Sequence, residues 1–331
     1  MSRPRIALLS NPRSTGNIAQ LSRIRDYCAE HPDIFHYEVE RAEQIGDAMR
    51  TIARVRPKLL IINGGDGTVQ AALTEIYRGG HFSGAHYPDG PPPVAVLPNG
   101  KTNLIALDLG SGGDPLVALK RVLELARSDM APHIVSRELI QLSDGSVGGK
   151  AVLGMFLGGA GLADIILYCR HKIYPLGLPN GISHALTMLA VMVSIVFGLR
   201  AAFLPPRPSR VKVSILKHGE MQGHFALLMV TTLQRLLLNR TMPGADSPVG
   251  AMQLMVIERG RSTLFHVLLA ALRGRLGRVG VSGVHLERGD EIRIESDRSS
   301  VILDGELFEA RTDRPIVLKP TAPVPFLRLA A

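Results

Sequence analysis

A glycine turn that carries an acid is the part of the chain best suited to chemistry. Residues 63–68 read Asn-Gly-Gly-Asp-Gly-Thr, directly after the apolar run 59–62 and before a helix-like stretch at 69–77. Backbone N–H groups of such a turn can close on a phosphate at the positive end of the helix dipole. The predicted phosphate-binding residues here are Asn63, Gly64, Gly65, Gly67 and Thr68.

Asp66 stands in the middle of that turn. Its carboxylate would repel a phosphate unless it faced a metal ion or a reacting hydroxyl, so we predict that Asp66 is a catalytic residue and a metal ligand. The alternative is that Asp66 caps the helix, since Asp is favoured at helix N-termini. The two roles are compatible.

Two further polar runs follow apolar runs that read as strands. In 10–17, the hydroxyls and amides could bind phosphate or ribose, although helix capping explains them nearly as well. In 98–103, Lys101 could neutralise a transferred phosphate, or be an ordinary exposed loop lysine. The nucleotide-binding candidates from these runs are Asn11, Arg13, Ser14, Gly100, Thr102 and Asn103, with Lys101 as a catalytic candidate.

A pair of acids ends the apolar run 301–303, which reads as a strand. Asp304 and Glu306 flank Gly305. One such acid can accept the proton of a hydroxyl nucleophile, and the other can hold a metal ion directly or through water. An Asp-Gly β-turn would use the same residues.

The elements that must position these runs alternate between strand and helix over residues 5–130. The predicted strands are 6–9, 35–39, 59–62 and 94–97, and the predicted helices are 18–28, 42–55, 69–77 and 116–127. This alternation predicts a Rossmann-like parallel sheet with helices on both faces. Ligands of such sheets bind at the carboxyl ends of the strands, where the glycine loops lie.

Short strand-like runs dominate the rest of the chain and predict an antiparallel β-sandwich. The expected domains are 1–130 for the α/β unit and 131–314 for the sandwich, and the tail at 315–331 is expected to return to the first domain. Two apolar stretches, 185–199 and 264–273, read as helices. The first is shorter than a membrane-spanning helix, so it is expected to fill a core or border an acyl-chain cavity.

The charge of the chain is concentrated in one segment. The formal net charge is +9, and residues 200–278 contain twelve Lys or Arg against three acids. With 5% aromatic residues and no Trp, this segment favours an anionic membrane surface over nucleic acid. Scattered surface charge is the alternative. The apolar run 6–9 is too brief for a signal-peptide core, so a cytoplasmic, peripherally membrane-associated protein is expected, of unknown oligomeric state.

Together these motifs resemble the diacylglycerol kinase catalytic family, which includes diacylglycerol, sphingosine and ceramide kinases. The resemblance rests on Asn11-Pro12 with Ser14, on 64–68, on Pro98 with Gly100 and Asn103, and on 303–306, in the family order. It implies an ATP-dependent lipid kinase that uses Mg²⁺, with its active site in the cleft between the two domains. It also implies that Asp66 handles phosphoryl transfer and that Glu306 or Asp304 is the general base.

The sequence departs from the family pattern at several acids. Ala71, Lys101, Leu104, Val249 and Gln253 stand where the family commonly has carboxylates or a Thr. These losses leave open how a metal would be held, and Lys101 is a candidate to supply the missing positive charge. They also leave open a non-catalytic nucleotide- or lipid-binding protein. A third alternative is a NAD kinase or phosphofructokinase, whose families share the Gly-Gly-Asp-Gly-Thr loop.

Overall fold

The computed structural model describes residues 6–143, 151–176, 186–187, 190, 209–216, 219–236, 240–241, 251–272, 282–297, 299–311 and 313–329 of the chain. Strands and helices alternate through residues 6–127, as the sequence predicts. In order they are β1 (Ile6–Ser10), α1 (Asn17–Ala29), β2 (Ile34–Glu38), α2 (Ile45–Val55), β3 (Leu59–Gly64), α3 (Asp66–Arg78), β4 (Val94–Pro98), α4 (Leu104–Asp108) and α5 (Pro115–Arg127).

The first sheet has six strands in the order β2-β1-β3-β4-β19-β5, where β5 is Ile134–Arg137 and β19 is Val324–Leu327. Strands β1 to β4 are parallel, and β19 lies parallel to β4 and antiparallel to β5. In register, Ser10 pairs with Asn63 and Gly64 pairs with Pro98. The loops that follow β1, β3 and β4 therefore leave the sheet at one edge.

Both faces of this sheet are buried, which explains why its strands read as continuous apolar runs. Alternate residues of β1 show the pattern: Ala7 and Leu9 pack with residues of α2 and α3, whereas Ile6 and Leu8 pack with residues of α1 and α5. The predicted α/β layer structure is confirmed.

The second sheet is antiparallel and has eleven strands. They are β6 (Ile140–Ser143), β7 (Val152–Gly154), β8 (Phe156–Gly159), β9 (Arg210–Ile215), β10 (Gly219–Thr231), β13 (Met252–Glu258), β14 (Val284–Gly289), β15 (Ile292–Ser296), β16 (Ser299–Leu303), β17 (Glu306–Ala310) and β18 (Ile316–Pro320). A separate pair consists of β11 (Arg235–Leu236) and β12 (Arg240–Thr241). The chain crosses into this sheet between Arg137 and Ile140, and the tail divides, with β18 in the second sheet and β19 in the first.

Strand β10 joins the two halves of the second sheet. Its first residues pair with β9, and its last residues pair with β13 and β8. Residues from distant strands, such as Ile140, Val213, Leu228 and Val301, nevertheless share one core. The sheet therefore curls on itself, so the layers expected for a sandwich belong to one continuous sheet.

Two helices accompany the second sheet in the described part of the chain. Helix α6 (Gly161–Tyr168) continues into a π-helical turn at Cys169–Ile173, and α7 (Arg261–Leu272) covers most of the helix predicted at 264–273. Short 3₁₀ turns lie at Ala42–Gln44, Gly84–His86, Ala131–His133 and Tyr174–Leu176. The helix predicted at 185–199 lies almost entirely outside the described residues. Among the described helices, none combines the length and the hydropathy needed to cross a membrane.

Candidate active site

The loops after β3 and β4 touch each other through their backbones. A Cβ atom added to Gly100 would lie 2.7 Å from Cα of Gly65 and 3.5 Å from the backbone nitrogen of Asp66. A Cβ on Gly64 would lie 2.7 Å from Cβ of Thr68. Glycine is therefore required sterically at Gly64 and Gly100, and the two predicted nucleotide loops form a single surface at the carboxyl edge of the sheet.

Asn103 fixes the shape of the second loop. Its Oδ1 accepts a 2.6 Å hydrogen bond from Gly100 N–H, and its Nδ2 donates to the Gly100 carbonyl over 3.0 Å. The residue has φ +56°, a left-handed conformation that Asn tolerates better than most residues. Lys101 and Thr102 lie at the exposed tip of the turn.

Asp66 is the first residue of α3, but its carboxylate faces a different helix. It faces the backbone N–H groups of Leu104, Ile105 and Asn103, at the start of α4. Burial raises the pKa of Asp66, and these N–H groups oppose that rise. The capping role considered for Asp66 thus applies to the neighbouring helix, where the carboxylate also meets the positive end of the helix dipole.

Buried amides tie the three loops together beneath this surface. Asn99, 1% exposed, donates from Nδ2 to Oδ1 of Asn17 over 2.7 Å and also to Oδ1 of Asn63. Asn17 in turn donates to the carbonyl oxygens of Asn11 and Asn63, over 2.8 and 3.0 Å. Asn63 was predicted to bind nucleotide, but its side chain is fully buried and holds neighbouring loops instead.

A histidine completes the buried network. Nδ2 of Asn63 donates to Oγ of Ser10 over 2.9 Å, and Oγ of Ser10 lies 2.8 Å from Nε2 of His36. Burial lowers the pKa of His36, so its ring is neutral near pH 7 and Nε2 can accept the serine proton. The network therefore links β1, β2, β3 and β4 at the edge where the loops begin.

The loop after β1 packs against the glycine turn. Nδ2 of Asn11 donates to Oγ1 of Thr68 over 2.9 Å, and the Ser14 hydroxyl donates to the Asn99 carbonyl over 3.0 Å. Arg13 lies on the surface and pairs with Glu40 at 3.0 Å. The structure brings Asn11 and Ser14 to the predicted site and leaves Arg13 at its exposed rim.

The turn between β16 and β17 brings the second sheet to the same place. Asp304 lies in this turn, 3% exposed, with φ +44°. Its two carboxylate oxygens accept hydrogen bonds from the N–H groups of Met155, over 2.7 Å, and Phe156, over 3.0 Å. Burial, together with the nearby negative charge of Asp66, raises the pKa of Asp304 to about 8, against the opposing effect of these two hydrogen bonds. Asp304 therefore clamps the turn to the β7–β8 junction.

Glu306 differs from Asp304 because its side chain is exposed. A Cβ added to Gly67 would lie 3.1 Å from Oε1 of Glu306 and 3.8 Å from the Asp304 carbonyl oxygen. An exposed carboxylate from the second sheet thus stands directly over the glycine turn of the first. Of the two acids, only Glu306 has a carboxylate that faces solvent at this junction.

Asn17 and Asn99 lie in the polar runs 10–17 and 98–103 that the sequence singled out, but neither was named as a site residue. Their place between a predicted strand and a predicted helix is the signal that could have identified them. The sequence reasoning missed Arg170, in the π-helical turn, whose Nη2 donates to the Gly305 carbonyl over 2.6 Å. No sequence pattern marks that arginine.

The predicted metal site has fewer ligands than a resident ion requires. Within the described ranges, no group of three or more His, Cys, Asp or Glu side chains is placed to hold a metal ion. The carboxylate of Asp66 faces backbone N–H groups, and both carboxylate oxygens of Asp304 accept hydrogen bonds from backbone N–H groups. The residues present do not form a protein-only metal centre.

A family model matches the part of the chain that contains the first sheet's glycine loops. Residues 5–132 match the diacylglycerol kinase catalytic domain. Comparison with curated proteins gives no match.

Solved structures with a similar fold come from Bacillus anthracis str. Sterne. One, named as a diacylglycerol kinase, is 15% identical, with 99% of this chain and 98% of that chain covered and a TM-score of 0.60. Another, described as a candidate diacylglycerol kinase, is 16% identical, with 97% and 96% covered and a TM-score of 0.64. Residues 5–132 of this chain are thus similar to the diacylglycerol kinase catalytic domain, and the described part of the chain shares its fold with these Bacillus structures.

Proposed function

We propose that the protein is an ATP-dependent lipid kinase that transfers the γ-phosphate of ATP to a hydroxyl of a diacylglycerol, a ceramide or a sphingoid base. The observation that carries the proposal is the meeting of Glu306 with Gly67, where Oε1 lies 3.1 Å from the position of an added Cβ. A phosphate-binding turn and an exposed base thus come together from different sheets. This is the arrangement that phosphoryl transfer to a hydroxyl needs, since positioning and charge stabilisation supply most of its catalysis.

In the proposed reaction, the N–H groups at the start of α3 bind the ATP phosphates. The lipid hydroxyl oxygen forms a bond to the γ-phosphorus while its proton passes to the Glu306 carboxylate. The bond from the γ-phosphorus to the bridging oxygen breaks, and its electron pair leaves with ADP. Asp304 is not the base in this scheme, because both of its oxygens are bound by backbone N–H groups and burial keeps it largely protonated.

Magnesium enters the scheme as part of the substrate, MgATP. Mg²⁺ usually keeps several waters and is held by phosphates with one or two carboxylates, so a protein-only cluster is not needed. The exposed carboxylate of Glu306 and the carboxylate of Asp66 are the candidate contacts. Asp66 also orients α4 and the loop before it, and Lys101, at the tip of that loop, is a candidate for phosphate neutralisation.

The protein is further proposed to take its lipid from an anionic membrane. Phe265 on α7 is 64% exposed, and Arg261 on the same helix is exposed as well. An apolar side chain beside basic residues suits the interface of an anionic bilayer. Both residues lie in the basic segment 200–278, much of which is outside the described residues.

The test is transfer of labelled phosphate from ATP, with Mg²⁺, to diacylglycerol, ceramide, sphingosine, phosphatidylglycerol and NAD in mixed micelles. A labelled lipid that requires the intact enzyme would establish the kinase and name its substrate. A labelled NAD would replace the proposal with a NAD kinase.

The second candidate function is a nucleotide- or lipid-binding protein without catalysis. The observation that favours it is in the sequence, where Ala71, Val249 and Gln253 stand at positions that commonly carry carboxylates in the family it resembles. Nucleotide binding with no transfer to any acceptor in the same assay would support it.

A further inference from the structure

Arg170 lies in an unusual stretch of backbone beside the proposed site. Its π-helical turn, Cys169–Ile173, follows α6 directly, and π-helical turns are rare and frequent at functional sites. Just before α6, Ala160 has φ +52° and ψ −136°, a conformation that is costly for a residue with a Cβ. Two uncommon conformations thus flank α6, and the second of them contains Arg170. From there its side chain reaches the turn between β16 and β17.

The guanidinium of Arg170 and the glycine turn converge on one point. Nη2 donates to the Gly305 carbonyl over 2.6 Å. A Cβ added to Gly305 would lie 3.3 Å from that Nη2 and 4.0 Å from the backbone nitrogen of Gly67. The cation and the N–H group of the phosphate turn therefore both lie within 4.0 Å of that one position, and the same Gly67 faces the carboxylate of Glu306.

We propose that Arg170 binds the γ-phosphate of ATP and stabilises the charge that develops on it during transfer. This inference rests on the proposed kinase function. A guanidinium has five N–H donors in a rigid fork, so the bond to Gly305 leaves donors for phosphate oxygens. The bond to Gly305 also fixes the fork where charge spreads over the transferred group, as electrostatic catalysis requires.

The chemistry assigned to Arg170 involves no proton transfer. The lipid oxygen bonds to the γ-phosphorus, the proton goes to Glu306, and the electron pair of the broken bridging bond leaves on ADP. Throughout, the guanidinium stays protonated and donates hydrogen bonds to the non-bridging γ-oxygens. ADP lacks these oxygens, so Arg170 should favour ATP over ADP.

The experiment compares Arg170→Gln, Arg170→Lys and a control, Lys172→Gln, which removes one charge from an exposed side chain on the same turn. Binding of the non-hydrolysable ATP analogue AMP-PNP and of ADP is measured by calorimetry. The turnover number is measured with the best lipid acceptor of the panel. Circular dichroism and the melting temperature report folding.

Arg170→Gln is expected to lower the turnover number about 100-fold or more, the effect of losing a preorganised donor to a developing charge. It should also lower the preference for AMP-PNP over ADP about tenfold, with Arg170→Lys in between and Lys172→Gln unchanged. A purely structural role would weaken both nucleotides equally, which would overturn the proposal. If the wild type phosphorylates no lipid, the kinase assignment fails. Loss of the triphosphate preference would still support the Arg170 contact, and an unchanged preference would refute it.

Discussion

Replacing Gly100 by alanine tests whether backbone contact between the two glycine loops sets the geometry of the site. An added Cβ would lie 2.7 Å from Cα of Gly65, whereas ordinary contacts begin at 3.4 Å. The loops must therefore separate by about 0.7 Å, because the clash is with backbone and no side chain can rotate away. Overpacking of this kind costs about 1–3 kcal/mol of stability.

The same displacement should reduce the turnover number more strongly than it reduces stability. Misplacing catalytic groups by about 1 Å costs roughly 100-fold in rate, so Gly100→Ala should lower the turnover number about 10- to 100-fold. The assays are lipid phosphorylation and urea unfolding. Gly112→Ala is the control, because its Cβ would meet only Cδ2 of Leu107 at 3.5 Å in the same connection. Equal, near-normal turnover in both variants would show that contact between the two loop backbones does not set the geometry of the site.

Three further predictions concern the buried network, a buried acid and the membrane. Asn99→Leu leaves two buried acceptors without their hydrogen-bond donor. It should lower the free energy of unfolding, measured by urea titration, by about 2–4 kcal/mol. A loss below about 0.5 kcal/mol would contradict the role of the network. The pKa of Asp304 is raised to about 8, so the folded state holds a proton that the unfolded state has lost. The free energy of unfolding should thus fall as pH rises from about 4 to 8, by at most about 1.4 kcal/mol per pH unit, and more steeply than in Asp304→Asn; parallel curves would disprove the shift. Phe265→Ser should weaken sedimentation with anionic vesicles about tenfold or more, whereas Val117→Ser, at the same 64% exposure on α5, should not; equal effects would exclude α7 as the contact.

Local patterns in the sequence were sufficient to predict the four parallel strands of the first sheet, β1 to β4, but β5 was expected to belong to the sandwich. The apolar runs of β1, β3 and β4 are buried on both faces, so their composition alone marks them as central parallel strands. The glycines between strand and helix then place Gly67 and Gly100 at one edge of the sheet. The antiparallel character of the second sheet was also predictable, but its closure into one curled sheet depends on the length of β10.

Contacts between distant residues could not be predicted in this way. Asn99 and Asn17 are 82 positions apart, and Arg170 and Gly305 are 135 apart, so no local period or motif links them. The burial of Asp304 could not be predicted for a different reason. An Asp-Gly pair after a strand usually marks an exposed turn, but here the backbone of β7 and β8 encloses the carboxylate. Its burial separates its role from that of Glu306, which the sequence could not do.

Catalysis is proposed to occur where Glu306 of the second sheet meets Gly67 of the first. The most direct measurement is the turnover number for phosphate transfer to the preferred lipid in Glu306→Gln, compared with Glu309→Gln, an exposed acid on the same strand β17. Loss of a general base predicts a decrease of about 100- to 10,000-fold in Glu306→Gln, with little change in the Michaelis constant for ATP and near-normal turnover in Glu309→Gln. Equal turnover in the two variants would contradict the account.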